Sequence, residues 1–109
     1  MTGDVVVLCG IDEVTDEAPL GIDRDGLPPI AVYKIGEEFL ATSNVCTHSY
    51  ALLSDGFQEH DEIECAVHGG RFDIRTGEAT AFPCEQPLKT YPVTVIDEKV
   101  TIPAAQISP

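Results

Sequence analysis

Two pairs of cysteine and histidine lie close together in the middle of the 109-residue sequence. Cys46 and His48 form the first pair, Cys65 and His68 form the second, and sixteen residues separate His48 from Cys65. Thiolates and imidazoles are groups that bind zinc and iron in proteins. The four side chains therefore predict a metal site. Their set fits either one tetrahedral Zn²⁺ ion or a [2Fe–2S] cluster with two Cys on one iron and two His on the other.

The way in which the four ligands are supplied favours the two-iron cluster. A zinc finger takes both cysteines from one hairpin and both histidines from a helix. Here each segment offers one Cys and one His, and no helical pattern follows. Gly69 and Gly70 come directly after the second pair. Because glycine has no side chain, backbone N–H groups at these positions can approach a sulfur atom closely.

Short β-like runs separated by turn residues make up most of the chain, and no long segment has the period of an amphipathic helix. The predicted strands are 5–8, 19–22, 30–34, 38–42, 62–65, 71–73, 90–96 and 100–102. Each Cys/His pair lies at or just after the end of such a strand, where loops present functional groups. The sequence therefore predicts an all-β fold, an antiparallel sandwich or small barrel.

The overall composition is that of one globular domain covering residues 1–109. The sequence has no apolar run of about 18 residues, and its first residues lack the pattern of a signal peptide. We expect a cytoplasmic protein whose thiols stay reduced. With 19 acidic and 6 basic residues the net charge is -13, which argues against binding to nucleic acid or an anionic membrane. The acidic run over 55–64 is either a solvated surface or a docking face for a basic partner.

The paired ligands and the residues around them resemble the Rieske signature C-x-H…C-x-x-H. The following GGRFDIRTG (69–77) resembles the continuation H-x-G-x-F-D…T-G of that family, and PLKTYPV (87–93) is similar to its P-L-x-x-Y-P-V strand. The resemblance implies a Rieske-type antiparallel β-sandwich with a small cluster-binding subdomain at about residues 44–82. It also implies one [2Fe–2S] cluster, with Cys46 and Cys65 on the inner iron and His48 and His68 on the outer iron, near the surface.

The resemblance further implies electron transfer and no catalysis by the chain itself. Rieske oxygenases hold a second iron on two His and a carboxylate, and His60 is the one histidine left for such a site. The chain resembles the freestanding ferredoxin components of bacterial multicomponent aromatic-ring dioxygenases of the biphenyl, naphthalene and carbazole type. The expected partners are a flavoprotein NAD(P)H reductase and a terminal oxygenase, and we expect the carrier to be a monomer. Two alternatives remain: a small subunit of a redox enzyme such as nitrite reductase, and a zinc-stabilised binding module.

The residues near the ligands also predict a low reduction potential. Respiratory Rieske proteins have two further cysteines and a Ser and a Tyr that donate to the cluster; Ala51, Val67, Gly70 and Phe72 stand at those positions. Fewer donors make the reduced cluster harder to form, which favours the negative end of the Rieske range of about -150 to +300 mV. Outside this set, we expect Cys9 and Cys84 to be packed thiols, and Arg71 and Arg75 to form local salt bridges. We expect these aromatic residues to be core or shielding: Tyr50, Phe57, Phe72 and Phe82.

Overall fold

Short antiparallel strands form almost all of the regular structure. The computed structural model describes residues 4–47, 51–67 and 69–107. Within these ranges all strand pairs are antiparallel, which confirms the prediction of an all-β fold. The strands are β1 (Val5–Gly10), β2 (Leu20–Ile22), β3 (Ile30–Ile35), β4 (Glu38–Ser43), β5 (Phe57–Glu59), β6 (Glu62–Glu64), β7 (Arg71–Asp73), β8 (Ala79–Ala81), β9 (Thr90–Tyr91), β10 (Thr94–Ile96) and β11 (Lys99–Pro103).

The strands form three sheets, in the orders β1-β11-β10, β2-β3-β4-β9 and β5-β6-β7-β8. The first two sheets enclose one apolar core, whose buried residues are Leu8, Cys9, Val14, Ile22, Ile30, Val32, Ala41, Tyr91, Val100 and Ile102. The third sheet lies against a second core, made of Ala31, Tyr33, Cys46, Leu53, Ile63, Cys65, Phe72, Ile74, Cys84 and Leu88. Two of the four predicted ligands, Cys46 and Cys65, thus belong to the core beside the third sheet.

Strand β3 contributes to both cores. Side chains alternate between the two faces of a strand, so Ile30 and Val32 face the first core while Ala31 and Tyr33 face the second. All four residues are completely buried. The Tyr33 hydroxyl forms a 2.9 Å hydrogen bond with Thr42 Oγ1, and burial raises the pKa of this tyrosine. The polar end of the ring is therefore satisfied inside the protein.

The structure differs from the predicted strands in three places. The predicted strand 90–96 is two strands: β9 pairs with β4, and β10 pairs with β11 in another sheet. Pro92 lies between them, and proline lacks the N–H that a continuous ladder needs. Strands β5 and β8 were not predicted.

One-turn 3₁₀ helices occur at Ile11–Glu13, where the sequence predicts a short helical turn, and at Leu53–Asp55 and Ala104–Gln106. The expectation of a loose tail from Pro103 onward is wrong for residues 103–107, because Pro103 ends β11 and Ala104 donates a 2.9 Å backbone hydrogen bond to Asp4. Over the described ranges, no helix is long and apolar enough to cross a lipid bilayer. The single domain over 1–109 and the subdomain at about 44–82 stay predictions.

Candidate metal centre

The first predicted ligand, Cys46, opens a loop that closes on itself. Its backbone N–H donates to the carbonyl of Ala51 over 2.9 Å, and Val45 forms a β-bridge with Leu52. The Cys46 side chain is 2% exposed. We call residues 46–51 the first loop. His48 belongs to this loop by sequence and lies outside the described residues.

A buried asparagine supports the base of the first loop. Asn44, which is 3% exposed, accepts a 2.8 Å hydrogen bond from the Ser54 backbone through Oδ1 and donates to Ser54 Oγ over 3.0 Å. Its carbonyl accepts from Leu53 over 2.7 Å, and its N–H donates to Pro29 over 3.0 Å. Because a buried amide needs partners for all its polar groups, these bonds hold the two ends of the loop together. Sequence reasoning missed this role; a polar residue directly after an apolar strand was the available signal.

The second cysteine lies at the start of a similar loop, residues 65–70, which we call the second loop. Cys65 is 1% exposed; its N–H donates to Gly70 over 2.8 Å, and its carbonyl accepts from Gly69 over 3.1 Å. Gly69 has φ +75°, a backbone conformation that favours glycine. His68 lies in this loop by sequence and, like His48, outside the described residues.

A third loop, residues 81–86, lies beside both cysteine loops. The Cys84 N–H donates to Ala81 over 3.2 Å and closes a turn that contains the cis peptide between Phe82 and Pro83. Cys84 is buried, and its sulfur lies 3.8 Å from the sulfur of Cys46. That separation is too long for a disulfide, whose S–S bond is about 2.05 Å. The expectation that Cys84 is a packed thiol is confirmed, and the structure adds that it contacts a predicted ligand.

The second loop approaches the third so closely that only glycine fits at one position. A Cβ on Gly70 would lie 2.3 Å from Cys84 Sγ and 3.0 Å from the backbone nitrogen of Cys84. Gly70 is therefore required by the sulfur packed against it. The first and third loops also meet, because Thr47 Oγ1 donates to the carbonyl of Gln86 over 2.8 Å.

The environment keeps the Cys84 thiol neutral. Burial raises the pKa of Cys84 to about 12, and its hydrogen bond with Cys46 and the charges of Cys46 and Cys65 act in the same direction. Cys9, in the other core, has a pKa raised to about 11, mainly by burial and next by Glu13. Both buried thiols are therefore protonated at neutral pH, as expected for packed cysteines.

Most of the acidic run over 55–64 surrounds one arginine. Arg71 Nη1 lies 2.7 Å from Glu59 and 3.3 Å from Glu62, and its Nη2 lies 2.9 Å from Glu64. The hydrogen bond from Arg71 lowers the pKa of Glu59. The predicted local salt bridges are confirmed, since Arg75 likewise contacts Glu38 at 2.7 Å. Three carboxylates of the run are thus partly neutralised, so charge reversal there would also break a structural cluster.

Two exposed apolar side chains lie on the second and third loops. Phe82 is 82% exposed and Val67 is 53% exposed. The expectation that Phe82 and Phe57 belong to the core or shield a site is wrong, because Phe57 is also largely exposed. Phe72 is completely buried as expected, while Tyr50 lies outside the described residues.

The donor set fits a metal group that needs thiolates away from water. Cys46 and Cys65 belong to the same buried core, and both act electrostatically on Cys84. Buried thiolates are the ligands that iron–sulfur clusters require. In the part of the chain that the structure describes, no three His, Cys, Asp or Glu side chains form a metal-holding group, because two of the four predicted ligands fall outside it.

Comparison with known proteins agrees with this chemistry. Residues 4–92 match the Rieske [2Fe-2S] domain. The ferredoxin component of the p-cumate 2,3-dioxygenase system of Pseudomonas putida is 46% identical over 84% of this chain and 79% of its own length. The ferredoxin component of the naphthalene 1,2-dioxygenase system of Pseudomonas aeruginosa is 41% identical, over 94% of this chain and 97% of its own.

Solved structures show the same likeness. A ferredoxin of Sphingomonas yanoikuyae B1 superposes with a TM-score of 0.89 at 46% identity, covering 92% of this chain and 98% of that one. A chain of the complex of reduced oxygenase and oxidized ferredoxin in carbazole 1,9a-dioxygenase gives a TM-score of 0.85 at 34% identity, with 94% of each chain covered.

Proposed function

The chain belongs to the family of Rieske [2Fe-2S] domains, and on that basis we propose that it is a one-electron carrier of an aromatic-ring dioxygenase system. It takes electrons from a flavoprotein NAD(P)H reductase and passes them to a terminal Rieske-type oxygenase. The observation that carries this proposal is the near end-to-end match to ferredoxin components, 94% of this chain and 97% of the naphthalene-system relative. Such a match leaves no part of the chain for a catalytic domain, so it is an electron-transfer component and no enzyme by itself.

We propose that Cys46, His48, Cys65 and His68 hold the cluster, with the cysteines on the inner iron and the histidines on the outer one. The burial of both cysteines supports the inner assignment. The sequence neighbours of the histidines, Thr47 and Val67, are exposed, which supports an outer iron near the surface. The bound cluster supplies reversible uptake of one electron.

The protein residues then have three tasks. Asn44 and the backbone bonds of the first two loops hold the cysteines in place. The third loop packs against Cys46 and Gly70 and excludes water from that side. Exposed Phe82 and Val67 offer apolar surface to a partner, as suits the small transient interfaces of redox carriers.

The remaining expectations belong to the same proposal. A carrier that meets two partners in turn works as a monomer in the cytoplasm, where its reduced thiols and nicotinamide-linked reductase coexist. The zinc alternative loses its support because the family is defined by a [2Fe-2S] cluster. A nitrite-reductase-like small subunit has no observation in its favour beyond fold, since the relatives matched over nearly their whole length are dioxygenase ferredoxins.

The function is tested by anaerobic reconstitution of the electron-transfer chain. The purified protein should show the EPR signal of a reduced [2Fe–2S] cluster after uptake of one electron. A flavoprotein reductase of a dioxygenase system with NADH should reduce it, and the terminal oxygenase of that system should reoxidise it in stopped-flow absorption. A colourless protein containing zinc, or a reduced protein that the oxygenase leaves reduced, would overturn the proposal.

The ligand assignment has a separate test. Cys65→Ala, His48→Ala and His68→Ala should each abolish the visible spectrum and lower the iron content from about two per chain, since Rieske clusters need all four ligands. Cys9→Ala and His60→Ala are matched controls that remove the same residue types elsewhere and should keep the cluster. A His68→Ala variant with an unchanged spectrum would refute that histidine as a ligand.

A further inference from the structure

The buried thiol of Cys84 stands apart from the four proposed ligands and is unexplained by them. Its sulfur lies 3.8 Å from Cys46 Sγ, within the range of a hydrogen bond between sulfur atoms. Its backbone N–H is already bonded to Ala81 over 3.2 Å, so the S–H group is the donor that remains.

The direction of this hydrogen bond follows from metal binding. A cysteine that binds iron does so as a thiolate, which has no proton to give. Cys46 can therefore only accept, and Cys84 must donate. The buried position disfavours a second negative charge beside Cys46, so the proton stays on Cys84.

The surroundings hold the thiol in this position. Gly70 leaves the space that the sulfur occupies, because a Cβ there would come within 2.3 Å of Cys84 Sγ. On the other side, Thr47 fixes the first loop to the third through its 2.8 Å bond to Gln86. The donor is thus placed by three loops, and the sequence pattern around Gly70 and Phe72, which lacks side-chain donors, did not reveal it.

We propose that Cys84 donates an S–H···S hydrogen bond to the Cys46 thiolate and thereby raises the reduction potential of the bound cluster. The inference rests on the proposed assignment of Cys46 as an iron ligand. Reduction adds one negative charge to the cluster and its ligands. A donor to a ligand sulfur stabilises that added charge, so the reduced state gains more than the oxidised state.

Three substitutions separate hydrogen bonding from packing. Cys84→Ala removes the donor and some volume, Cys84→Val removes the donor but fills the volume, and Cys84→Ser keeps a donor. In anaerobic redox titration we expect Ala and Val to shift the midpoint potential to more negative values, with the equilibrium constant for reduction falling roughly three- to ten-fold. Cys84→Ser should stay at or above the wild-type potential. Cys9→Ala removes the buried thiol of the other core and should leave the potential unchanged.

The alternatives give different patterns. If only Cys84→Ala lowers the potential and Cys84→Val does not, water access and not hydrogen bonding sets the potential, and the proposal fails. It also fails if Ser falls together with Ala and Val, or if all three keep the wild-type value. Iron content and the EPR signal of each variant show independently whether the cluster itself is bound.

A spectroscopic test needs no change at Cys84. The chain has four cysteines; with Cys46 and Cys65 on iron, the Cys9→Ala protein keeps one S–H group, that of Cys84. Its infrared S–H stretching band should lie at the lowered frequency of a hydrogen-bonded thiol and shift lower still on reduction. A band at the position of a non-bonded thiol, unmoved by reduction, would overturn the proposal. A second S–H band in the loaded protein would instead show that Cys46 or Cys65 is not a ligand.

Discussion

Thr47, the residue directly after Cys46, donates its side-chain hydroxyl to the backbone carbonyl of Gln86 over 2.8 Å. This bond joins the first loop to the third, two segments that are 39 residues apart in sequence. The loop that contains one proposed pair of ligands is thereby tied to the loop that contains Cys84. Three predictions about the surrounding contacts follow the one for Thr47 itself.

Thr47→Val should loosen the cluster site without unfolding the protein. Loss of one hydrogen bond costs about 1 kcal/mol, which corresponds to roughly five-fold faster opening of the first loop. The measurement is the rate at which an iron chelator bleaches the visible absorption. Thr80→Val, at an exposed position of β8, is the matched control and should bleach at the wild-type rate. Equal rates for both variants would mean that the Thr47 bond does not limit iron loss.

Gly70→Ala should destabilise the second loop, because the new Cβ would lie 2.3 Å from Cys84 Sγ. Overpacking of this kind costs about 1–3 kcal/mol, so both the melting temperature and the retention of iron should fall. In a Cys84→Ala background the same substitution should cost less, since the closest atom is gone. A double-mutant cycle on melting temperatures measures the difference. An identical cost in both backgrounds would assign the loss to the backbone nitrogen of Cys84, 3.0 Å away.

Arg71→Gln should destabilise the protein more than Arg75→Gln, because Arg71 contacts three carboxylates and Arg75 contacts Glu38. The expected loss at neutral pH and low salt is about 1 kcal/mol. Arg71 lowers the folded-state pKa of Glu59. That contribution is therefore complete above the unfolded carboxyl pKa of about 4.3 and disappears as pH falls through the lower folded value. Thermal unfolding of both variants at pH 7 and below pH 4 tests this, and a difference that grows in acid would contradict it.

Phe82→Ser should slow electron transfer to the oxygenase and leave the cluster unchanged. An exposed aromatic side chain is a common anchor of protein interfaces, and its loss often costs about 1–2 kcal/mol of binding, or roughly ten-fold or more in affinity. The measurement is the concentration dependence of the reoxidation rate. Phe57→Ser removes the other strongly exposed phenylalanine and serves as the control. If the two variants behave alike, the third loop is not part of the docking surface.

Local patterns explain why the cysteine loops were predictable from sequence. The spacing of Cys46 and Cys65 from their histidines, and the glycines after the second pair, all lie within a few residues of each other. Contacts between distant segments were not readable in this way. The contact between Cys84 and Cys46 spans 38 residues. The position of Arg71 among three carboxylates depends on the register that pairs it with Glu64 across β6 and β7.

The two missed strands have weak local signals for physical reasons. Strand β8 contains Ala79 and Ala81, and alanine has low β-propensity. Strand β5 joins β6 through a turn in which His60 has φ +57°, a conformation more typical of glycine or asparagine. In both cases pairing with a neighbouring strand, and not intrinsic preference, makes the segment extended.

Because β3 has core on both of its faces, it constrains how this molecule can evolve. An ordinary strand offers solvent at every second residue, where mutations accumulate at little cost. From Ile30 to Tyr33 no such position exists, since all four side chains are completely buried. Strand β10 is the opposite case, with all three of its residues exposed. Sequence drift in this protein should therefore be concentrated at the β10 edge, and variation in β3 should require simultaneous compensating changes in two separate cores.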